Sequence, residues 1–144
     1  MSEPRVIRPA EETPVERGPG LQAIPLIAAQ TGAVGFINGL TSFQPGAAVP
    51  LHTHNVQESI TILEGEAVCE VAGKEYTVRP FDTVHAPAGV PHCFRNESEE
   101  PMRFLWCYGG TKVTRTYLGT GQTVEHLSAA DSRAISQPGS SSSD

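Results

Sequence analysis

A chain of 144 residues fits one domain and is long enough to bury an independent core. Its net charge of −6 advertises none of the basic surface that nucleic acid requires, and no apolar run approaches the length of a membrane span. The start, Met1-Ser2-Glu3-Pro4-Arg5, lacks the charged-then-apolar order of a secretory leader, and Cys69, Cys93 and Cys107 have no C-x-x-C spacing. A cytoplasmic protein with reduced thiols and neither nucleic-acid nor membrane partners is therefore expected.

Residues 1–20 carry Pro4, Pro9, Pro14 and Pro19 among charges with no apolar period, and read as a flexible arm that orders only against a surface. Residues 21–132 read as the folded domain. Within it, residues 34–43 are β-rich and end at the Gln44-Pro45-Gly46 turn. Residues 59–63, 67–71 and 75–78 are short strands divided by Gly-containing turns, and residues 83–86 precede the turn Pro87-Ala88-Gly89. Strands over 92–96 and 102–108 flank a polar segment, 97–101, that reads as a hairpin loop. Residues 124–132 could hold a helical turn or two. Residues 133–144 read as a disordered tail, low in complexity from Gln137 on. Short strands with turn chemistry at regular intervals predict an all-β sandwich or barrel.

The chemistry-bearing residues lie around two of these turns. In a strand, residues two apart share a face, so His52 and His54 present two imidazoles to one point. Glu58 keeps that parity, and His92 follows in Pro87-Ala88-Gly89-Val90-Pro91-His92. Three imidazoles and a carboxylate suit a first-row divalent metal. Gln57 competes with Glu58 as the oxygen donor, although parity puts it on the other face.

This arrangement closely resembles the two motifs of the cupin family. Gly46, His52, His54, Glu58 and Gly65 match the first, G-x5-H-x-H-x3-E-x6-G, within residues 46–65. Pro87, Gly89, His92 and Asn96 match the second, within residues 81–96, where Phe81 replaces the leading glycine. The resemblance covers about residues 30–118 and implies an all-β cupin jelly-roll barrel in a single domain. It also implies one divalent transition metal ion per chain (Fe, Mn, Ni or Zn) held by His52, His54, Glu58 and His92. Glu58, the one anionic ligand, is then the residue on which catalysis depends. Cupins of this ligand set act as dioxygenases or oxidoreductases, or as Lewis-acid isomerases and lyases, on small enolisable or carboxylate-bearing molecules. The alternative is a non-catalytic, metal-containing small-molecule-binding module. Cupins commonly pair, so a homodimer is expected, with the arm before residue 20 or the segment 34–43 exchanged.

Strand parity also names the cavity wall. Ile60 and Ile62 follow Glu58, Phe94 follows His92, and Phe104 and Trp106 lie with Met102 and Tyr108 on one face of the next strand. Ile60, Ile62, Phe94, Phe104 and Trp106 are therefore the expected substrate pocket, with Cys93 and Arg95 facing away. No arginine or lysine is required to point inward, so the cavity reads as metal at one end and apolar elsewhere. His85 is expected to face outward or toward a partner subunit, or to reach the substrate. His126 is expected to stand apart from the site. Asn96 should bond backbone within the barrel or, alternatively, line the cavity.

Overall fold

The computed structural model describes residues 3–136, a chain of twelve strands and one α-helix in two facing sheets. In chain order, β1 is Val15–Gly18, β2 Leu21–Ile27, β3 Ile37–Phe43, β4 Ala48–His54, β5 Glu58–Glu64 and β6 Ala67–Val71. There follow β7 Lys74–Val78, β8 Thr83–Ala86, β9 His92–Arg95, β10 Met102–Tyr108, β11 Thr114–Tyr117, β12 Thr123–Glu125 and α1 Ala129–Ser136. One sheet runs β1-β2-β3-β10-β5-β8 and the other β12-β11-β4-β9-β6-β7, with every pairing antiparallel. This is the jelly-roll arrangement expected of a small all-β domain. The inner faces alternate as period-2 strands must: Phe43, Ile60, Ile62, Cys69, Phe94, Met102 and Phe104 are buried between the sheets.

Register brings the two motifs to one end of this core. His52 on β4 stands opposite His92 on β9, while Glu58 on β5 stands opposite Tyr108 on β10. The motif glycine Gly65 lets the chain leave β5 for the other sheet. It has φ +77°, and a Cβ there would collide with the carbonyl of Pro101. Asn96 donates to the carbonyls of Phe43 (3.1 Å) and Glu100 (2.8 Å), the backbone role expected of it. Those bonds turn the chain after β9. Residues 97–101 consequently cross from one sheet to the other instead of closing a hairpin, because β9 pairs with β4 and β6 whereas β10 pairs with β3 and β5.

Both ends of the domain differ from expectation. The arm foreseen over residues 1–20 is regular in its last part, where Val15 pairs with Ala23 and the Arg17 side chain is buried. The helix lies later than 124–132, because residues 123–125 pair with β11 and helix begins only at Ala129. It continues to Ser136 inside the stretch foreseen as tail, and the remaining tail, 137–144, lies outside the described residues. No described helix is long and apolar enough to cross a membrane.

Phe81 occupies the position where the second motif carries glycine, and it keeps the glycine conformation, φ +74°, with its ring exposed. A left-handed residue with a Cβ is strained by roughly 1–2 kcal/mol. Glycine's greater freedom in the unfolded chain offsets about 0.5–1 kcal/mol of any relief. Phe81→Gly is therefore expected to raise stability by up to about 1 kcal/mol in denaturant unfolding. A less stable variant would mean that the exposed ring has a partner.

Candidate metal site

His52 and His54 end β4, Glu58 opens β5 and His92 opens β9, so four side chains from three strands meet where the strands end. All four are buried, at most 5% exposed. The donor atoms of the three histidines lie within 4.8 Å of one another. The carboxylate oxygen Glu58 Oε1 sits 3.1 Å from His92 Nε2 and 3.3 Å from His54 Nε2. Gln57, the competing oxygen donor, is exposed on the opposite face with its side-chain oxygen 3.1 Å from His85 Nε2. His85 faces outward with it.

The backbone settles how the imidazoles are oriented. His52 Nδ1 lies 2.7 Å from the carbonyl of Pro50, His54 Nδ1 3.0 Å from that of Thr114, and His92 Nδ1 3.0 Å from that of Val90. A carbonyl only accepts, so each Nδ1 carries the proton and donates it. Burial holds His52 well below the ordinary histidine range, reinforced by Arg115 and the other two imidazoles. It lowers His54 as well, against the pull of Glu58. Both rings are thus neutral at neutral pH, with Nε2 lone pairs turned toward the centre. Burial pushes the Glu58 carboxyl up, while the His54 and His92 contacts that pull it below the usual carboxylate range act through a proton on Nε2, the proton whose place a metal ion would take. Lone pairs and an ionised carboxylate converging on one dry point repel one another until a cation stands between them. Fixed tautomers with backbone-bonded Nδ1–H groups are the arrangement of histidines that bind metal, and the residues present fit a metal ion.

Beside these four the structure places residues that sequence reasoning did not find. Arg17 on β1 and Arg115 on β11 are buried and line the inner space together with the candidate ligands. The expectation that no cation points inward is corrected here. Its reason is a buried carboxylate far away in sequence: Asp131 on α1 accepts from Arg17 Nη2 at 2.8 Å and from Arg115 Nη1 at 3.0 Å, and from the Tyr117 hydroxyl at 2.5 Å. Burial would raise the Asp131 carboxyl, yet Arg115 and Arg17 hold it well below the ordinary range. Two guanidiniums thus share one hydrogen-bonded carboxylate, and Glu58 is the second carboxylate facing the same space. Arg115 Nη2 also donates to the Tyr108 hydroxyl (3.3 Å), which lies 3.3 Å from His54 Nε2 and so joins the cluster to the histidines.

Phe94, Phe104 and Trp106 line the inner space. Ile60 and Ile62 do not; they are buried in the core behind it. Their cross-strand partners on β10 are Trp106 and Phe104, which do line the space. His126 also lines the space, with its ring 4.9 Å from Trp106 and 4.8 Å from Tyr108, contrary to the expectation that it stands apart. The void itself is only about 20 Å³, room for one water molecule.

Residues 39–108 match the family model described as the cupin domain. The chain carries a cupin domain. The matched segment contains His52, His54, Glu58 and His92, whereas Arg17, Arg115, His126 and Asp131 lie outside it. Over 88 residues this cupin is 31% identical to quercetin 2,3-dioxygenase of Bacillus subtilis (strain 168), covering 60% of the chain and 26% of that protein. Over 61 residues it is 36% identical to 5-nitrosalicylic acid 1,2-dioxygenase of a Bradyrhizobium species, covering 42% of the chain and 30% of that protein. The chain thus spans less than a third of the length of these curated relatives. Among solved structures it superposes on the polyketide cyclase RemF from Streptomyces resistomycificus with a TM-score of 0.70 at 21% identity, covering 96% of each chain. At that identity the likeness is one of fold.

Proposed function

We propose that this cupin holds one divalent transition metal through His52, His54, Glu58 and His92 and is a metal-dependent enzyme, in its nearest reading a dioxygenase. Its substrate would be a small anionic molecule that reaches the metal through enolate, phenolate or carboxylate oxygen. The observation that carries this reading is the convergence of three imidazoles and the Glu58 carboxylate on one buried point. When bound, such a metal supplies Lewis-acid polarisation and, if it is iron, manganese or nickel, electron transfer toward dioxygen.

The chain's own residues supply the rest. Carbonyls of Pro50, Val90 and Thr114 hold the imidazoles in position. With a divalent ion bound, Arg17, Arg115 and the ion together outweigh Asp131 and Glu58, so the site would attract an anion. Burial raises the Tyr108 hydroxyl far above the ordinary range, so it stays protonated and can donate to a substrate oxygen. Phe94, Phe104 and Trp106 keep bulk water away. Two relatives named as dioxygenases add support, since the molecules in both names are ring compounds with adjacent oxygen donors.

Oxygen uptake by iron-, manganese- or nickel-loaded protein, presented with small enolisable acids, diketones and 2-hydroxybenzoates, tests the proposal. Turnover is expected, and Glu58→Gln should reduce it by roughly 10–100-fold while retaining part of the metal. A variant as active as wild type would contradict the role given to Glu58. The second reading, a binding module without turnover, draws on the small inner void; it gains if metal-loaded protein binds these compounds and consumes no oxygen. A homodimer remains part of the proposal, and a monomer in light scattering would remove it.

A further inference from the structure

The inner void admits little more than the chelating atoms of a substrate, so the remainder of any larger molecule needs another place. One adjoins it. A cavity of about 630 Å³, within the range of small-molecule sites, opens between the end of β2, the start of β3 and the segment around β12. Pro25, Ile27, Ala28, Ile37, Val113 and Leu127 give it mostly apolar walls. Trp106 and His126 line both spaces, so these two side chains stand between the outer cavity and the metal site.

His126 is the unexplained residue there. Both ring nitrogens are shielded from solvent and have no hydrogen-bond partner, and buried polar atoms in folded proteins are nearly always paired. Its ring edge packs against Trp106 and Tyr108, neither of which gives its nitrogens a bond. Burial, with Arg115 and Arg17 adding to it, keeps the imidazole neutral. One nitrogen therefore donates and the other accepts, the pair of capacities that a hydroxyl group answers.

Resting on the chelation reading above, we propose that the outer cavity binds the body of the substrate, a flat and largely apolar ring system. Its ring hydroxyl or carbonyl, away from the metal-bound oxygens, is hydrogen-bonded by His126 once that ring turns to bring a shielded nitrogen into the cavity. His126 is then a substrate-contacting residue that sets specificity. It lies beyond residues 39–108, in a part of the chain that the family match does not cover.

The test uses cobalt(II)-loaded protein and two probes followed by visible absorption. Azide needs only the metal and fits a small space; 4-nitrocatechol chelates and carries a ring that must extend outward. His126→Phe removes both nitrogens and keeps an aromatic ring against Trp106 and Tyr108. Ala28→Trp fills the outer cavity from a residue with extended backbone, φ −142° and ψ 172°, which tolerates the larger side chain. Both variants should bind 4-nitrocatechol at least about tenfold more weakly and azide within about twofold of wild type. Azide measured on the same preparations reports that each variant is folded and loaded. Unchanged 4-nitrocatechol affinity in both would overturn the inference and leave the metal reading intact. Weakening in Ala28→Trp alone would overturn the role of His126, and parallel loss of azide would place the defect at the metal. A wild-type cobalt protein that binds neither probe would defeat chelation itself, and this inference with it.

Discussion

Asp131→Ala is expected to destabilise the domain by about 3–5 kcal/mol, the cost of leaving buried charges without their partner. The carboxylate takes hydrogen bonds from Arg17 on one sheet, from Arg115 and Tyr117 on the other, and from the backbone of Leu127. Removing it strands two guanidiniums in the barrel and frees α1 from both sheets at once. That is a large share of the roughly 5–15 kcal/mol by which a domain is ordinarily stable. Chemical unfolding at neutral pH measures it. The same residue sets an acid limit. Its folded carboxyl is depressed, so its contribution is complete above the unfolded aspartate value of about 3.9 and is lost as pH falls through the folded value. Wild type should lose stability steeply as acid is added below that point, and Asp131→Ala should show less of this loss. A variant as stable as wild type, with the same acid profile, would mean that the guanidiniums find other partners.

His92→Ala is expected to cost more of the metal than any other single change at the site. His92 alone links β9 to the cluster, and its Nε2 stands 3.1 Å from Glu58. Outer partners of metal ligands already contribute roughly 10–100-fold in affinity, so deleting a ligand should exceed that. The protein should still fold, because the ring is replaced at the end of a strand whose other inward residue, Phe94, stays packed on Phe104 with centroids 4.9 Å apart. Metal content by elemental analysis after equal loading, together with a melting curve, separates loss of ligand from loss of fold. Full metal content in a folded variant would contradict the assignment of His92.

Most of the barrel and the histidine–glutamate cluster were legible in the sequence because both rest on local rules. Strand parity puts His52 with His54, and the glycine and proline turns fix where Glu58 and His92 enter. The second half of the site was not legible, for a physical reason. Pattern reading sends charged residues outward, whereas Arg115 points in because Asp131, 16 residues on, neutralises it; Arg17 depends on the same carboxylate across 114 residues. Two local signs were present. Thr114-Arg115-Thr116-Tyr117 alternates, so an inward Tyr117 carries Arg115 with it. Ser128 lies three residues before Asp131, and its Oγ accepts from the Asp131 amide at 3.1 Å, a helix-start signal that would have placed α1 correctly. Ile60 and Ile62 show the opposite failure: parity gave their inward face, but not that they are buried in the core while their β10 partners Trp106 and Phe104 line the space.

The most direct measurement is calorimetric titration of metal-free protein with manganese(II) or cobalt(II), run beside a variant with His52 and His54 both replaced by alanine. Wild type should bind one divalent ion per chain and release protons little at neutral pH, since burial keeps the His52 and His54 imidazoles neutral beforehand. The double variant should show no such site. Equal binding by the two proteins, or none by wild type, would contradict a metal centre at these residues.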